Sequence, residues 1–177
     1  MTRPTIEKVK RGLAVAIVMA ALGGCADRDV TLSQPSFYRN LAEGGELDAK
    51  GAEAMISNYR SNNGLPVVAL DPELMKLAEA QARAMAARNR LDHNVIGAFN
   101  TRIASSGFDA AAAVENISAG YHTMAEAFSG WRDSPHHRAN MLHKSVTRMG
   151  IAAVRAPGTK YRVFWALILA APDERRG

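Results

Sequence analysis

Cysteine is nearly absent from this chain: Cys25 is the only one in 177 residues. No intrachain disulfide can form, so any folded body must rest on its own apolar core. Long apolar runs are missing too. The run Gly12–Leu22 is uncharged but only eleven residues long, where a bilayer-spanning helix needs roughly 20. There is no basic block of the kind a nucleic-acid partner requires, no internal repeat and no low-complexity tract. Neither an HExxH motif nor a cysteine cluster is present, and no serine or cysteine nucleophile accompanies the histidines in a familiar pattern. These absences argue against a membrane-spanning helix, a disulfide scaffold and nucleic-acid binding.

What the N-terminus does contain reads as an export signal. Arg3, Lys8, Lys10 and Arg11 stand against one acid, Glu7, ahead of the apolar run. Small residues follow, Leu22-Gly23-Gly24, directly before Cys25. A basic stretch, a short apolar stretch and small residues make a secretory signal. The segment resembles the lipobox of bacterial lipoproteins, in which the cysteine is acylated and the chain is cut just before it. Acyl chains then replace the lost apolar segment as the membrane tether. The plainer alternative is a cleaved signal with an incidental cysteine. Removing residues 1–24 takes away four basic residues and one acid, which leaves 18 against 16 and a net charge of +2. The expected organisation is a signal peptide over 1–24, a lipidated tether over 25–46, one domain over 47–172 and a charged tail over 173–177. A short helix around Phe37–Leu41 docked on the domain is the alternative for part of the tether. Ala26 is not the aspartate that resembles an inner-membrane retention signal, so an outer-membrane lipoprotein facing the periplasm or the surface is the expected location.

Helical periodicity appears three times. Ala52, Met55, Ile56 and Tyr59 form one helix face, closed by Asn62-Asn63-Gly64. Asp71-Pro72 opens a second helix, with Asp as N-cap and Pro at the first turn; Leu74, Leu77, Ala78 and Met85 are its buried face. That helix runs to about Asn89 and delivers His93 just past its end. Met124, Ala127, Phe128 and Trp131 form a third face starting at Thr123, and Ser134-Pro135 opens a short fourth helix through Leu142. Residues 94–114 read as loops around a short helical piece, with helix propensity at Ala110–Val114. Met149–Val154 and Tyr161–Leu169, separated by Ala156-Pro157-Gly158-Thr159-Lys160, predict an antiparallel hairpin. With a short apolar stretch at 67–70, the fold class is α+β.

The polar residues that stand out are His93, Glu115 and the pair His136-His137; His93, Glu115 and His137 lie 22 residues apart at each step. Two imidazoles and a carboxylate can bind a divalent cation such as zinc, or form an acid–base site. Helix-end residues bonded to backbone are the unspecialised alternative.

His93-Asn94, then Glu115-Asn116-Ile117 with Gly120, then Trp131-x-x-Ser134-Pro135-x-His137-Arg138-x-Asn140-Met141-Leu142, then Met149-Gly150-Ile151-Ala152 resembles the bacterial branch of the CAP superfamily. That family takes in the cysteine-rich secretory proteins, plant pathogenesis-related group 1 proteins and insect venom antigens. The likeness runs over roughly 50–171. It implies an α-β-α sandwich with a central antiparallel sheet between helical layers, and a cleft lined by two histidines and up to two glutamates. His93 matches the first cleft histidine, Glu115 the glutamate and His137, not His136, the second histidine. The chain departs from the pattern at Val114 and His136, both usually glycine. It departs again near Ser134, where the second glutamate would fall and no acid stands; Asp133 is adjacent but points elsewhere. Thr123-x-x-Glu126 reads as a capping box, not a substitute for that acid. Trp131 is expected in the core, His143 on the surface, and Arg138 and Asn140 as ties between the short helix and neighbouring loops.

Members of the family resemble scaffolds more than enzymes of one reaction, and several bind sterols, fatty acids or divalent metals. The expected function is therefore a monomeric ligand-binding module, for a divalent metal or for a lipid or envelope component, through the His93/Glu115/His137 cleft. No residue is assigned as catalytic. A metal-assisted hydrolase, with Glu115 or His137 activating water, and an envelope interaction protein with a vestigial cleft are the alternatives.

Overall fold

The computed structural model describes Met1 and residues 34–173. The expected signal peptide, Cys25 and the last four residues of the tail lie outside the described residues. The described elements are five helices and four strands. The helices are α1 (Ala49–Ser61), α2 (Pro72–Arg88), α3 (Phe99–Ala104), α4 (Met124–Asp133) and α5 (Pro135–Met141). The strands are β1 (Ala69–Leu70), β2 (Ala110–Ala119), β3 (Arg148–Ala156) and β4 (Arg162–Pro172), in the spatial order β1-β3-β4-β2.

β4 is the spine. It pairs antiparallel with β3 on one side and with β2 on the other, and it is buried on both faces. Its alternate residues sort into two cores, as the period of a strand requires. Val163, Trp165, Leu167 and Leu169 pack with Ile56 of α1, Met124 and Trp131 of α4 and Met141 of α5. Phe164, Ala166, Ile168 and Ala170 pack with Leu74, Ala78 and Met85 of α2 and Ile103 of α3. Each large apolar side chain buried here contributes about 1.5–3 kcal/mol. The result is helices, sheet, helices: the expected three layers. The sheet is mixed, not purely antiparallel, because β1 pairs parallel with β3 through Ala69↔Arg148 and Leu70↔Met149. The crossover through α1 and α2 that surrounds β1 supplies the reason, since a strand flanked by helices rather than by a hairpin turn is free to run parallel.

The helix ends follow the expected chemistry. The Asp71 carboxylate accepts from the Glu73 and Leu74 amides, with Pro72 in the first turn. Thr123 and Glu126 form the full capping box. Ser134 is the exception: its side chain makes no capping bond, and Pro135 alone starts α5. Trp131 is fully buried and meets Trp165 edge-on at 6.4 Å.

Two expectations change. Ala110–Val114 is strand, not helix. Val114 sits opposite Leu169, and Ala113 opposite Ala170, so sheet pairing overrides the alanines' intrinsic preference. The folded body also begins earlier than residue 47. Short 3₁₀ turns at Ser36–Tyr38 and Leu41–Glu43 place Leu41 and Ala42 in the core. The Leu41 amide donates to His122 O (2.8 Å), and Arg155 Nε donates to Ala42 O (3.0 Å). These are tertiary bonds, and no periodicity announces them.

Arg60 of α1 is buried and donates only to backbone carbonyls: Pro66 (2.8 Å), Met141 (2.8 Å), His143 (2.9 Å) and Val146 (2.8 Å). It therefore ties the end of α5 to α1. On the other face α2 lies flush on β3 at Gly150, where an added Cβ would overlap the Leu74 carbonyl and the Met75 amide. Gly150 is not in the left-handed region, so without that contact alanine would be neutral or stabilising. Gly150→Ala is expected instead to destabilise the protein by about 1–3 kcal/mol, read as a lower urea midpoint at unchanged slope; an unchanged or higher midpoint contradicts the close-contact account.

Candidate functional site

α2 ends at Asn89, whose backbone is left-handed (φ 47°) and whose amide and that of Arg90 close back on Ala86 O and Met85 O. The chain then turns through Asp92 and His93. Buried Gln81 donates to Asp92 O (2.8 Å), and Arg102 Nη2 donates to His93 O (3.0 Å). The His93 backbone is thus pinned from below while its side chain remains 49% exposed.

Glu115 lies on β2, on the α2/α3 side of the sheet, and its side chain is 2% exposed. Arg102 Nη2 meets Oε1 at 2.9 Å and Oε2 at 2.8 Å. Arg102 is itself buried, its Nε donates to Gly97 O (3.2 Å), and its guanidinium lies 5.2 Å from the Phe99 ring centre. Oε1 of Glu115 also faces His93 Nδ1 at 2.8 Å. An ionised carboxylate has lone pairs only, so facing it a neutral ring carries its hydrogen on Nδ1 and keeps Nε2 as the acceptor. Nε2 makes no hydrogen bond among the described residues.

His137 arrives from the opposite side, on α5. β2 is an edge strand, and α5 lies along its free edge. Asn140 Nδ2 donates to Glu115 O (3.1 Å) and to Asn116 Oδ1 (2.8 Å), while Asn116 Nδ2 donates to His137 O (3.0 Å). His137 is half-buried, whereas His136 is exposed. Burial, then the nearby His93 and His136, push the His137 imidazole below its ordinary value of 6.5.

The remaining residues fall elsewhere. Val114 needs no glycine-like backbone, since it is an ordinary strand residue. Asp133 is exposed and bonded to Arg132 (2.9 Å), which holds its carboxyl below the usual range. Glu126 is occupied at the α4 cap. His143 is half-buried beside Ser145 Oγ (3.2 Å) and lends its carbonyl to Arg60. Sequence reasoning passed over Arg102 and Gln81. The available signal was indirect: a glutamate inside the apolar strand Val114-Glu115-Asn116-Ile117 demands a buried cation, but nothing in the spacing selects Arg102.

Among the described residues no group of three His, Cys, Asp or Glu side chains is arranged to hold a metal ion. The Glu115 oxygens are directed at Arg102 and His93. What the donor set offers a cation is two imidazole nitrogens, with Glu115 behind His93 in the orienting position that carboxylates take behind metal-bound histidines. The same dyad suits His93 Nε2 to accept a proton. Three grooves of about 300–690 Å³ are lined by other residues, so the imidazoles stand outside them.

The cysteine-rich secretory protein (CAP) family profile matches residues 54–169, well over half the chain, from within α1 to within β4. The chain belongs to the CAP family. Its membership does not rest on disulfides, for the domain has none. The uncharacterized protein YkwD of Bacillus subtilis is 31% identical over 99 residues, which cover 55% of this chain and 38% of YkwD. Two solved structures share the fold. An extracellular SCP-domain protein of Bacillus anthracis superposes with a TM-score of 0.61 at 23% identity, over 69% of this chain and 39% of that one. An outer surface protein of Borrelia burgdorferi gives 0.62 at 18% identity, over 71% of this chain and 93% of that one. The chain thus spans about two fifths of the length of the two Bacillus relatives. Among the described residues of the CAP domain no helix is long and apolar enough to cross a membrane.

The depressed His137 value carries a sign. The folded state resists protonating this imidazole, so its contribution to stability is present above about pH 6.5 and is lost as the pH falls through the lower folded value. Urea midpoints of the wild type are expected to fall over that window, and His137→Asn to flatten the fall. An equal fall in both proteins removes His137 as its source.

Proposed function

We propose that this chain is an exported, lipid-anchored CAP domain that binds ligands through the outward faces of His93 and His137. The observation that carries the reading is the His93–Glu115 contact at 2.8 Å, which leaves Nε2 of a half-exposed ring free to accept. His137, favoured in its neutral form, supplies the second acceptor. Neutral imidazoles suit a divalent transition metal such as zinc, and a metal held there would leave coordination positions for an envelope component. When bound, such a cation supplies Lewis acidity; the residues of the chain bind and orient. Calorimetric titration with zinc chloride is expected to show binding by the wild type that weakens strongly in His93→Ala and in His137→Ala. A flat wild-type titration, or three identical isotherms, rejects the reading.

A second reading draws on the same dyad. His93, oriented by Glu115, is placed to act as a general base in hydrolysis, while Glu115 itself is too enclosed to activate water directly. Turnover of peptidoglycan or protein substrates that disappears in Glu115→Gln, with the fold retained, would favour it over simple binding.

Export and anchoring rest on the basic leader, the short apolar run and Leu22-Gly23-Gly24-Cys25, and on likeness in fold to extracellular and surface proteins. Nine residues, 26–34, separate Cys25 from Pro35, a reach of at most about 30 Å when extended. The anchor therefore keeps the domain close to the membrane. Cys25→Ala is expected to move a folded domain from the membrane to the soluble fraction, checked by fractionation and circular dichroism. Unchanged membrane partition would leave Cys25 without an anchoring role.

A further inference from the structure

The end of the β3–β4 hairpin carries two arginines that meet on one carbonyl. Arg155 Nε donates to Ala42 O at 3.0 Å, and Arg162 Nη2 donates to the same oxygen at 3.3 Å. The two donor nitrogens therefore stand within about 6 Å of each other, close enough for the like charges to repel. Strand geometry alone would separate them. Arg155 pairs with Val163, and Ala156 with Arg162, while neighbouring residues of a strand face opposite sides. Arg162 departs from that geometry through a left-handed backbone (φ 64°), a conformation that suits glycine or asparagine far better than arginine. The Thr159 hydroxyl helps to hold it there by accepting from the Arg162 amide (3.1 Å). A strained residue that brings two cations together points to a use for the pair.

The hairpin has no acid of its own to neutralise the pair: residues 134–172 contain six Lys or Arg and no Asp or Glu. Glu43 and Glu46, the acids of the turn that carries Ala42, are exposed, and among the described residues neither forms an ion pair with Arg155 or Arg162. Both arginines are exposed. Among the described residues Arg155 keeps Nη1 and Nη2 unused, and Arg162 keeps Nε and Nη1. Two adjacent guanidinium forks with spare donors suit an oxyanion, phosphate above all. Ala42 lies on the turns by which the chain, coming from Cys25, enters the folded body. We propose that Arg155 and Arg162 form a clamp for the phosphate of an anionic phospholipid, and this rests on the reading that Cys25 anchors the chain to a membrane. In phosphatidylglycerol no cationic group stands beside the phosphate, so its charge is available to both guanidiniums. In phosphatidylcholine the headgroup ammonium already answers it. The tether keeps the domain near the membrane, and the clamp fixes which face is turned toward it.

The test is sedimentation with vesicles, using the mature chain, residues 25–177, with Cys25→Ala so that no acyl group drives partition. Vesicles of equal parts phosphatidylcholine and phosphatidylglycerol are expected to bind this parent protein, less tightly as salt rises, and vesicles of phosphatidylcholine alone are not. Arg155→Gln and Arg162→Asn are each expected to weaken binding about 5-fold, and together about 30-fold, the scale set by one arginine at an anionic surface. Asparagine is chosen because it accepts the left-handed backbone. Arg155→Lys with Arg162→Lys keeps both charges but loses the forks, and its affinity is expected to fall between those of the parent and the uncharged pair. Absence of binding by the parent, equal binding to the two vesicle types, or parent-like binding by the uncharged pair or by the lysine pair overturns the clamp. Calorimetric binding of inorganic phosphate without binding to vesicles assigns the pair to a free anion and overturns the lipid source. Near-UV circular dichroism checks each fold; if the uncharged pair fails to fold, the vesicle contrast and the lysine pair decide. Fractionation of Cys25→Ala judges the anchor separately: unchanged membrane partition there, with phosphatidylglycerol binding intact, removes the anchor and keeps the clamp.

Discussion

A carboxylate buried in a sheet must be neutralised where it stands. Glu115 is nearly enclosed, on a strand whose neighbours are apolar, and leaving such a charge uncompensated would cost about 3–5 kcal/mol. Arg102 answers that demand and in doing so organises the loop between α2 and α3. Its guanidinium reaches Glu115, Gly97 and His93, so the loop between α2 and α3, which has little regular structure of its own, is shaped around one ion pair. The His93 backbone takes its position from the same source.

The site straddles the edge of the sheet. Successive residues of β2 point to opposite faces, so Glu115 looks toward α2 and α3 while Asn116 looks toward α5. Asn140 and Asn116 then bridge the edge, satisfying the Glu115 carbonyl and holding the His137 carbonyl. Glu115 and Asn116, adjacent on this one edge strand, thus hold the His93 ring on one side and the His137 backbone on the other. Arg60, at the far end of α5, anchors that helix to the core through carbonyls alone.

Much of the fold was legible because it is written in local chemistry. Asp71-Pro72 and the Thr123/Glu126 box mark helix starts through bonds made within a few residues. The turn cluster Ala156–Lys160 marks a hairpin for the same reason. Ala110–Val114 was misleading since alanine favours helix in isolation, while its conformation here is imposed by β4 from some 55 residues away. The first turns, 36–43, read as tether, with a docked short helix around Phe37–Leu41 as the alternative, because two buried residues, Leu41 and Ala42, make no periodic pattern. β1, two residues long, gave no sign of its parallel pairing, which depends on the path of α1 and α2.

For the site, the motif identified His93, Glu115 and His137 as matching residues, and residue type alone established imidazole and carboxylate chemistry. The partners of those groups were decided only in three dimensions. Whether Glu115 is a ligand, a base or a support depends on what stands within 3 Å of its oxygens, and that is an arginine thirteen residues upstream on another element. Local sequence determines caps, turns and face periodicity because those interactions close over a few residues. The state of a buried charge is settled by the neighbour that tertiary packing brings to it, and spacing along the chain carries no record of that choice.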